Sequence, residues 1–121
     1  MKINKSGVWG EIFAARYLRD NGYRIITANF RSRLGEIDII AQKGNYMCFV
    51  EVKTRGEERL YEPKEAVDFS KQEKLISTLK LFMKAYPNGK QPRFDVCEVF
   101  LDGGFNLIKI NYIENAFTEG I

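Results

Sequence analysis

The stretch from Gly35 to Lys53 constrains the fold of this chain more than any other, because it reads as two short strands around a turn and stays apolar on both faces. Gly44-Asn45 is a two-residue pairing with hairpin preference, so Gly35 to Gln42 and Tyr46 to Lys53 are expected to run antiparallel with Lys43 facing Tyr46. One face of this hairpin offers Ile37, Ile39, Ala41, Cys48, Val50 and Val52, and the other offers Ile40, Met47 and Phe49. A sheet that is apolar on both sides needs cover on both sides.

The flanking sequence supplies that cover. From Val8 to Leu18 the residues Val8, Trp9, Ile12, Phe13, Tyr17 and Leu18 recur at helical spacing, and Asn21-Gly22 provides a stop. Trp9 and Tyr17 read as core. Tyr23 to Phe30 is a strand rich in β-branched residues. Gly56 to Lys64 is charged and irregular, the pattern of a mobile loop. Ser70-Lys71-Gln72-Glu73 fits a capping box and opens a second helix, whose stripe of Leu75, Ile76, Leu79, Phe82, Met83 and Tyr86 ends at Pro87-Asn88-Gly89. Arg93 to Leu101 and Phe105 to Ile110 form a last hairpin around Asp102-Gly103-Gly104, with Arg93 and Asp95 as a structural pair. The 121 residues therefore predict one α/β domain, residues 1–121, built on a mixed sheet of about five strands with helices on both faces.

Composition narrows the chemistry. The chain has no histidine, which removes Ser-His-Asp and Cys-His nucleophilic catalysis and histidine-ligated zinc. Cys48 and Cys97 lie in apolar strand runs and read as buried free thiols. No stretch is long and apolar enough to span a membrane, and the basic start Met1 to Ser6 leads into charged residues rather than an export signal, so a cytoplasmic protein is expected. The net charge of +3 permits nucleic-acid binding without demanding it. Arg31, Arg33, Arg55, Arg59, Lys71 and Lys74 flank the acidic phrases as a basic rim.

Carried to its open end, the hairpin register sets Asp38 opposite Glu51 and Glu36 opposite Lys53, with all four side chains on one face. Facing carboxylates repel unless something positive lies between them. Mg²⁺ or Mn²⁺ suits oxygen donors of this kind, and Lys53 would reach the same spot to neutralise charge developing on a phosphodiester. Glu11 lies on the stripe of Val8, Ala15 and Leu18, facing the sheet, and would complete the metal shell. From spacing alone, a solvated face of cross-strand ion pairs is the favoured reading, and a helix-edge salt bridge is favoured for Glu11 alone; Ile40, Met47 and Phe49 on the same face weigh against the first. Lys71, Gln72 and Lys74 open the second helix, where backbone N–H groups can bind phosphate, although a charged N-terminal turn is usually just exposed.

The phrases Gly10-Glu11, Tyr17-Leu18, Gly22-Tyr23, Asn29-Phe30-Arg31, Gly35-Glu36-Ile37-Asp38, Phe49-Val50-Glu51-Val52-Lys53-Thr54-Arg55, Ala66-Val67-Asp68, Lys71-Gln72, Arg93-Phe94-Asp95-Val96 and Asn115-Ala116-Phe117 resemble the YraN-like family over nearly the whole chain. That family is similar to the PD-(D/E)XK nucleases, whose restriction-endonuclease-like fold is a mixed sheet between helices and whose small members include archaeal Holliday-junction resolvases. The resemblance implies that Asp38 and Glu51 are metal-binding acids, Lys53 the catalytic lysine, Glu11 the acid of the first helix, and Gln72 a polar neighbour of the site. The proline that nominally precedes Asp38 is missing, a common variation. The implied activity is Mg²⁺- or Mn²⁺-dependent hydrolysis of DNA, including branched or junction DNA, with Arg31, Arg33, Arg55, Lys71, Gln72 and Lys74 as nucleic-acid contacts. Junction resolution needs two coordinated cuts and would imply a homodimer. The alternative is a catalytically silent nucleic-acid-binding or adaptor protein acting through a partner.

Overall fold

A computed structural model describes residues 4–60 and 68–117. Helix α1 (Lys5–Asp20) starts where the Asn4 side chain accepts the Gly7 N–H at 3.1 Å, and it stops at Asn21, followed by Gly22 with φ of +84°. Five strands follow: β1 (Arg24–Ser32), β2 (Gly35–Lys43), β3 (Tyr46–Gly56), β4 (Gln91–Leu101) and β5 (Leu107–Phe117). They lie side by side in the order β1-β2-β3-β4-β5, all antiparallel except the parallel pair β3 and β4. Helix α2 (Phe69–Ala85) is the crossover that a parallel pair requires. The mixed five-stranded α/β sheet expected from the sequence is therefore present, with the architecture of a restriction-endonuclease-like fold.

Each face has its own core. Ala14 and Leu18 of α1 pack on Ile39, Ala41, Cys48, Val50, Cys97, Val99 and Leu101, while Leu75, Ile76, Leu79 and Phe82 of α2 pack on Ile37, Ile40, Met47, Phe49 and Phe94. Burying a side chain as completely as Phe49 or Leu18 contributes roughly 1.5–3 kcal/mol, so these two layers fix both helices on the sheet. Two glycines let them come close. A Cβ at Gly10 would collide with the Thr54 hydroxyl, and one at Gly35 would lie 2.9 Å from that of Thr78. The first contact seats α1 on β3, and the second seats α2 on β2.

Several local expectations change. The buried stripe of α1 is Gly10, Ala14 and Leu18, whereas Val8 and Trp9 are exposed, so Trp9 is not core. Small residues at four-residue spacing let the helix backbone approach the sheet, and the large side chains rotate to the rim. The cap of α2 is Asp68, whose carboxylate accepts the Lys71 N–H at 3.0 Å, rather than Ser70. Strand β5 begins at Leu107, after a turn in which Phe105 has φ of +63° and Asp102 accepts the Gly104 and Asn106 N–H groups, and it continues to Phe117. β3 runs past Lys53 to Gly56, because parallel β4 carries the ladder to Leu101. A short 3₁₀ turn, Glu57–Arg59, follows. Beyond Leu60 the loop expected up to Lys64 lies outside the described residues.

Candidate functional site

The β2–β3 hairpin has the expected register, from Lys43 opposite Tyr46 to Ile39 opposite Val50, and there the ladder stops. Beyond that point β2 stays with β1, pairing Ile37 with Phe30 and Glu36 with Arg31, while β3 stays with β4. The sheet forks between Asp38 and Glu51. Face alternation breaks at the same place: Ile37 packs on the α2 side with Ile40, not with Ile39 as regular alternation would have it. On β1 the matching irregularity is Asn29, at φ of +54°, between Ala28 and Phe30, the partners of Ile39 and Ile37. Glu36 consequently does not face Lys53. It pairs with Arg31 at 3.4 Å on the exposed edge, where such a pair contributes little.

Asp38 occupies the fork. Its Oδ2 accepts the Val52 N–H at 2.8 Å, satisfying a donor on β3 that points toward β2 and has no strand partner there. On the α1 side it lines a cavity of about 450 Å³ with Glu11, Gly7, Asn29, Arg31 and Thr54. From the α2 side, Glu51 and Lys71 act on it electrostatically. Burial is the main reason that the Asp38 pKa is pushed up to about 6; the Val52 hydrogen bond and Lys71 oppose this, and the neighbouring Glu51 and Glu11 add to it. The Glu11 pKa is also raised, first by burial and then by Glu36. Asp38 therefore feels the charge of both other acids.

Glu51 is nearly buried, and its Oε1 is shared by two ammonium groups, Lys53 at 3.6 Å and Lys71 at 2.5 Å. Lys71 was expected only as a nucleic-acid contact, and the structure brings it onto the central acid. Its signal in the sequence was its position three residues after the Asp68 cap, which fixes it in the first turn of α2. Burial works against the Lys71 ammonium, but its hydrogen bond and ion pair with Glu51 outweigh that and raise its pKa.

The rest of the basic rim divides. Arg33 is exposed in the β1–β2 turn, and Lys74 lines a second cavity of about 380 Å³ with Gly35, Glu36, Asp68, Ser70 and Lys71. Gln72 is half-buried in the first turn of α2, its backbone N–H on the Asp68 carbonyl at 2.9 Å. Arg55 is not on the rim. Its guanidinium is buried beside Glu98 at 3.7 Å, on the same side of the sheet as Lys53, and Asn111 holds the other oxygen of that acid at 2.8 Å.

Comparison with known proteins places the chain. The family model for the uncharacterised protein family UPF0102 matches residues 10–99. The chain belongs to this family. A UPF0102 protein of Caldanaerobacter subterraneus subsp. tengcongensis is 46% identical over 121 residues, which span 96% of this chain and 98% of that protein. One from Caldicellulosiruptor bescii is 43% identical, covering 97% of this chain and all of its own, and one from Clostridium botulinum strain 657 is 45% identical over 92% of both. UPF0102 is the YraN-like family of the motif resemblance, a PD-(D/E)XK-like group. Its matched segment holds Glu11, Asp38, Glu51, Lys53 and Lys71, and thus every element that borders the fork.

The donor chemistry of the fork suits a hard divalent cation. Among the described residues no three acid or thiol groups converge as a ready-made cage. Asp38 nevertheless lies within the electrostatic reach of both Glu51 and Glu11, and magnesium characteristically takes one or two carboxylates together with water and phosphate oxygens. An ion there would offset the repulsion by Glu51 and Glu11 that adds to the effect of burial on the Asp38 pKa. No helix of the described chain is long and apolar enough to cross a membrane.

Proposed function

We propose that this UPF0102 protein is a metal-dependent nuclease that hydrolyses the phosphodiester backbone of DNA. The observation that carries the reading is the fork, where the β2–β3 ladder ends and the next residues on the two strands include Asp38, held by the Val52 N–H, and Glu51, held by Lys53 and Lys71. Asp38 and Glu51 would hold Mg²⁺ or Mn²⁺, with Glu11 assisting from α1. When bound, such an ion supplies Lewis acidity toward a phosphoryl oxygen. Lys53 keeps its ammonium beside Glu51 and neutralises charge that builds on phosphorus as water adds and the sugar oxygen leaves. Arg31 and Lys74, each lining one of the two cavities, and the exposed Arg33 of the β1–β2 turn supply positive charge for the DNA backbone.

A panel of linear, flap and four-way DNAs tests this. Cleavage should require Mg²⁺ or Mn²⁺ and fall by roughly 10²-fold or more in Asp38→Ala and Lys53→Ala, the loss expected when a preorganised charge is removed. Preference for four-way DNA would extend the reading to junctions and to a dimer. Equal nicking by the parent and both variants would refute it.

A further inference from the structure

One oxygen of a nearly buried acid at the fork carries two ion pairs. Glu51 Oε1 has the Lys71 ammonium at 2.5 Å and that of Lys53 at 3.6 Å, so Lys71 is its nearer partner. The two lysines are held differently. Lys53 rises from the middle of β3, inside the sheet, and its side chain is 29% exposed. Lys71 reaches in from the first turn of α2, and its side chain is 43% exposed, at the open wall of the cavity shared with Gly35, Asp68 and Lys74. Lysine is a flexible point charge with a four-carbon stem, and nothing in that geometry obliges it to stay. The α2 backbone beneath it, by contrast, is fixed by the Asp68 cap and by the close approach of Thr78 to Gly35. Removing Lys71 from Glu51 therefore requires a side-chain rotation and no movement of the helix.

Without a counter-charge, Asp38, Glu51 and Glu11 would stand together partly out of water, an arrangement that opposes folding. Lys71 relieves it from the same side on which Glu51 would present an oxygen to a metal. We propose that the Lys71 ammonium is a built-in counter-cation, occupying Glu51 in the metal-free protein and giving it up when a divalent cation binds. This rests on the reading of Asp38 and Glu51 as the metal-holding acids. Lys71 is then a positioning residue acting through Glu51: it lets the acidic fork fold empty, and it raises the metal concentration needed to load the site.

The test needs no DNA. Mn²⁺ alone is titrated into the parent protein, Lys71→Met, Lys71→Arg and Asp38→Asn, with bound ion read by electron paramagnetic resonance and metal-free stability read by thermal melting. Lys71→Met should bind Mn²⁺ roughly three- to tenfold more tightly, the effect of deleting one partly solvated competing charge, and should melt a few degrees lower in EDTA. Lys71→Arg should return both to parental values. A residue that merely props α2 against the sheet would, when lost, leave metal affinity unchanged or weaken it. Binding that is lost in Asp38→Asn but unchanged or weaker in Lys71→Met overturns this inference alone, as does equal tightening in the Met and Arg variants. A parent that binds no Mn²⁺, or binding indifferent to Asp38→Asn, overturns this inference and the metal-site reading together.

Discussion

Replacing Asp38 by Asn should make the metal-free protein more stable while abolishing metal binding. The Asp38 pKa is raised from an ordinary 3.8 to about 6, so folding favours the protonated carboxyl. The stabilisation this provides is fully present below about pH 4, the unfolded value, and is lost as pH rises through about 6. At pH 7.5 the folded chain carries an ionised Asp38 against its preference. Two pKa units correspond to a ceiling of about 3 kcal/mol, and partial contact with water brings that to about 2 kcal/mol. Asn is isosteric, carries no charge and keeps an oxygen to accept the Val52 N–H. Urea denaturation in EDTA should therefore give Asp38→Asn an advantage of about 2 kcal/mol at pH 7.5, shrinking toward zero near pH 4. Mn²⁺ binding and metal-dependent cleavage should both disappear. A variant no more stable than its parent at pH 7.5, or one whose advantage is the same at both pH values, would refute the reasoning.

The same titration predicts that the parent binds Mn²⁺ more weakly below about pH 6, where a proton competes for Asp38; calorimetry between pH 5 and pH 8 checks it, and a flat profile would count against Asp38 as a ligand. Gly10→Ala should destabilise by about 1–3 kcal/mol, because its methyl group would occupy the place of the Thr54 hydroxyl and lift α1 from β3. Carried on that helix, Glu11 would move with it, so urea midpoint and metal affinity should fall together. Asp95→Ala should cost about 3–5 kcal/mol in chemical denaturation, because the carboxylate is buried and takes two bonds from Arg93 at 2.9 Å, one from the Tyr112 hydroxyl and one from the Asn115 N–H.

What the sequence made legible follows from which forces are local. The turn at Gly44-Asn45 fixes the register near itself, and the pairs from Lys43–Tyr46 to Ile39–Val50 came out as read, as did the buried free Cys48 and Cys97. Two-faced apolarity called for two covering helices, and both are there. The reading failed at the distal end of the hairpin, because extrapolating a register assumes that the ladder continues. Whether it continues depends on β1 and β4, which compete for the outer halves of β2 and β3, and on the Asn29 kink, none of which a two-strand pattern contains. Arg55 was misplaced for a related reason. Its partner Glu98, 43 residues further along the chain, is brought beside it by parallel pairing of β3 with β4, and alternation within one strand carries no trace of that. Lys71 was legible as a first-turn lysine, but its contact with Glu51 required knowing how closely α2 approaches β2 over Gly35.

The fork and its acids explain each other. A hairpin that placed Asp38 and Glu51 side by side in an unbroken ladder would hold two like charges at close range on a half-buried face, which is destabilising. Opening the strands relieves that repulsion but leaves the Val52 N–H without a strand acceptor, and such a donor cannot be left unpaired at small cost. The Asp38 carboxylate takes that role itself, so the residue that drives the strands apart also caps the opening. What results is a gap in the sheet whose position is fixed by backbone hydrogen bonding, with negative charge on its walls and lysines from two different elements on its far side. Sheet continuity is given up at one point, and at that point the chain gathers Glu11, Asp38, Glu51 and Lys53, the residues proposed to carry its chemistry.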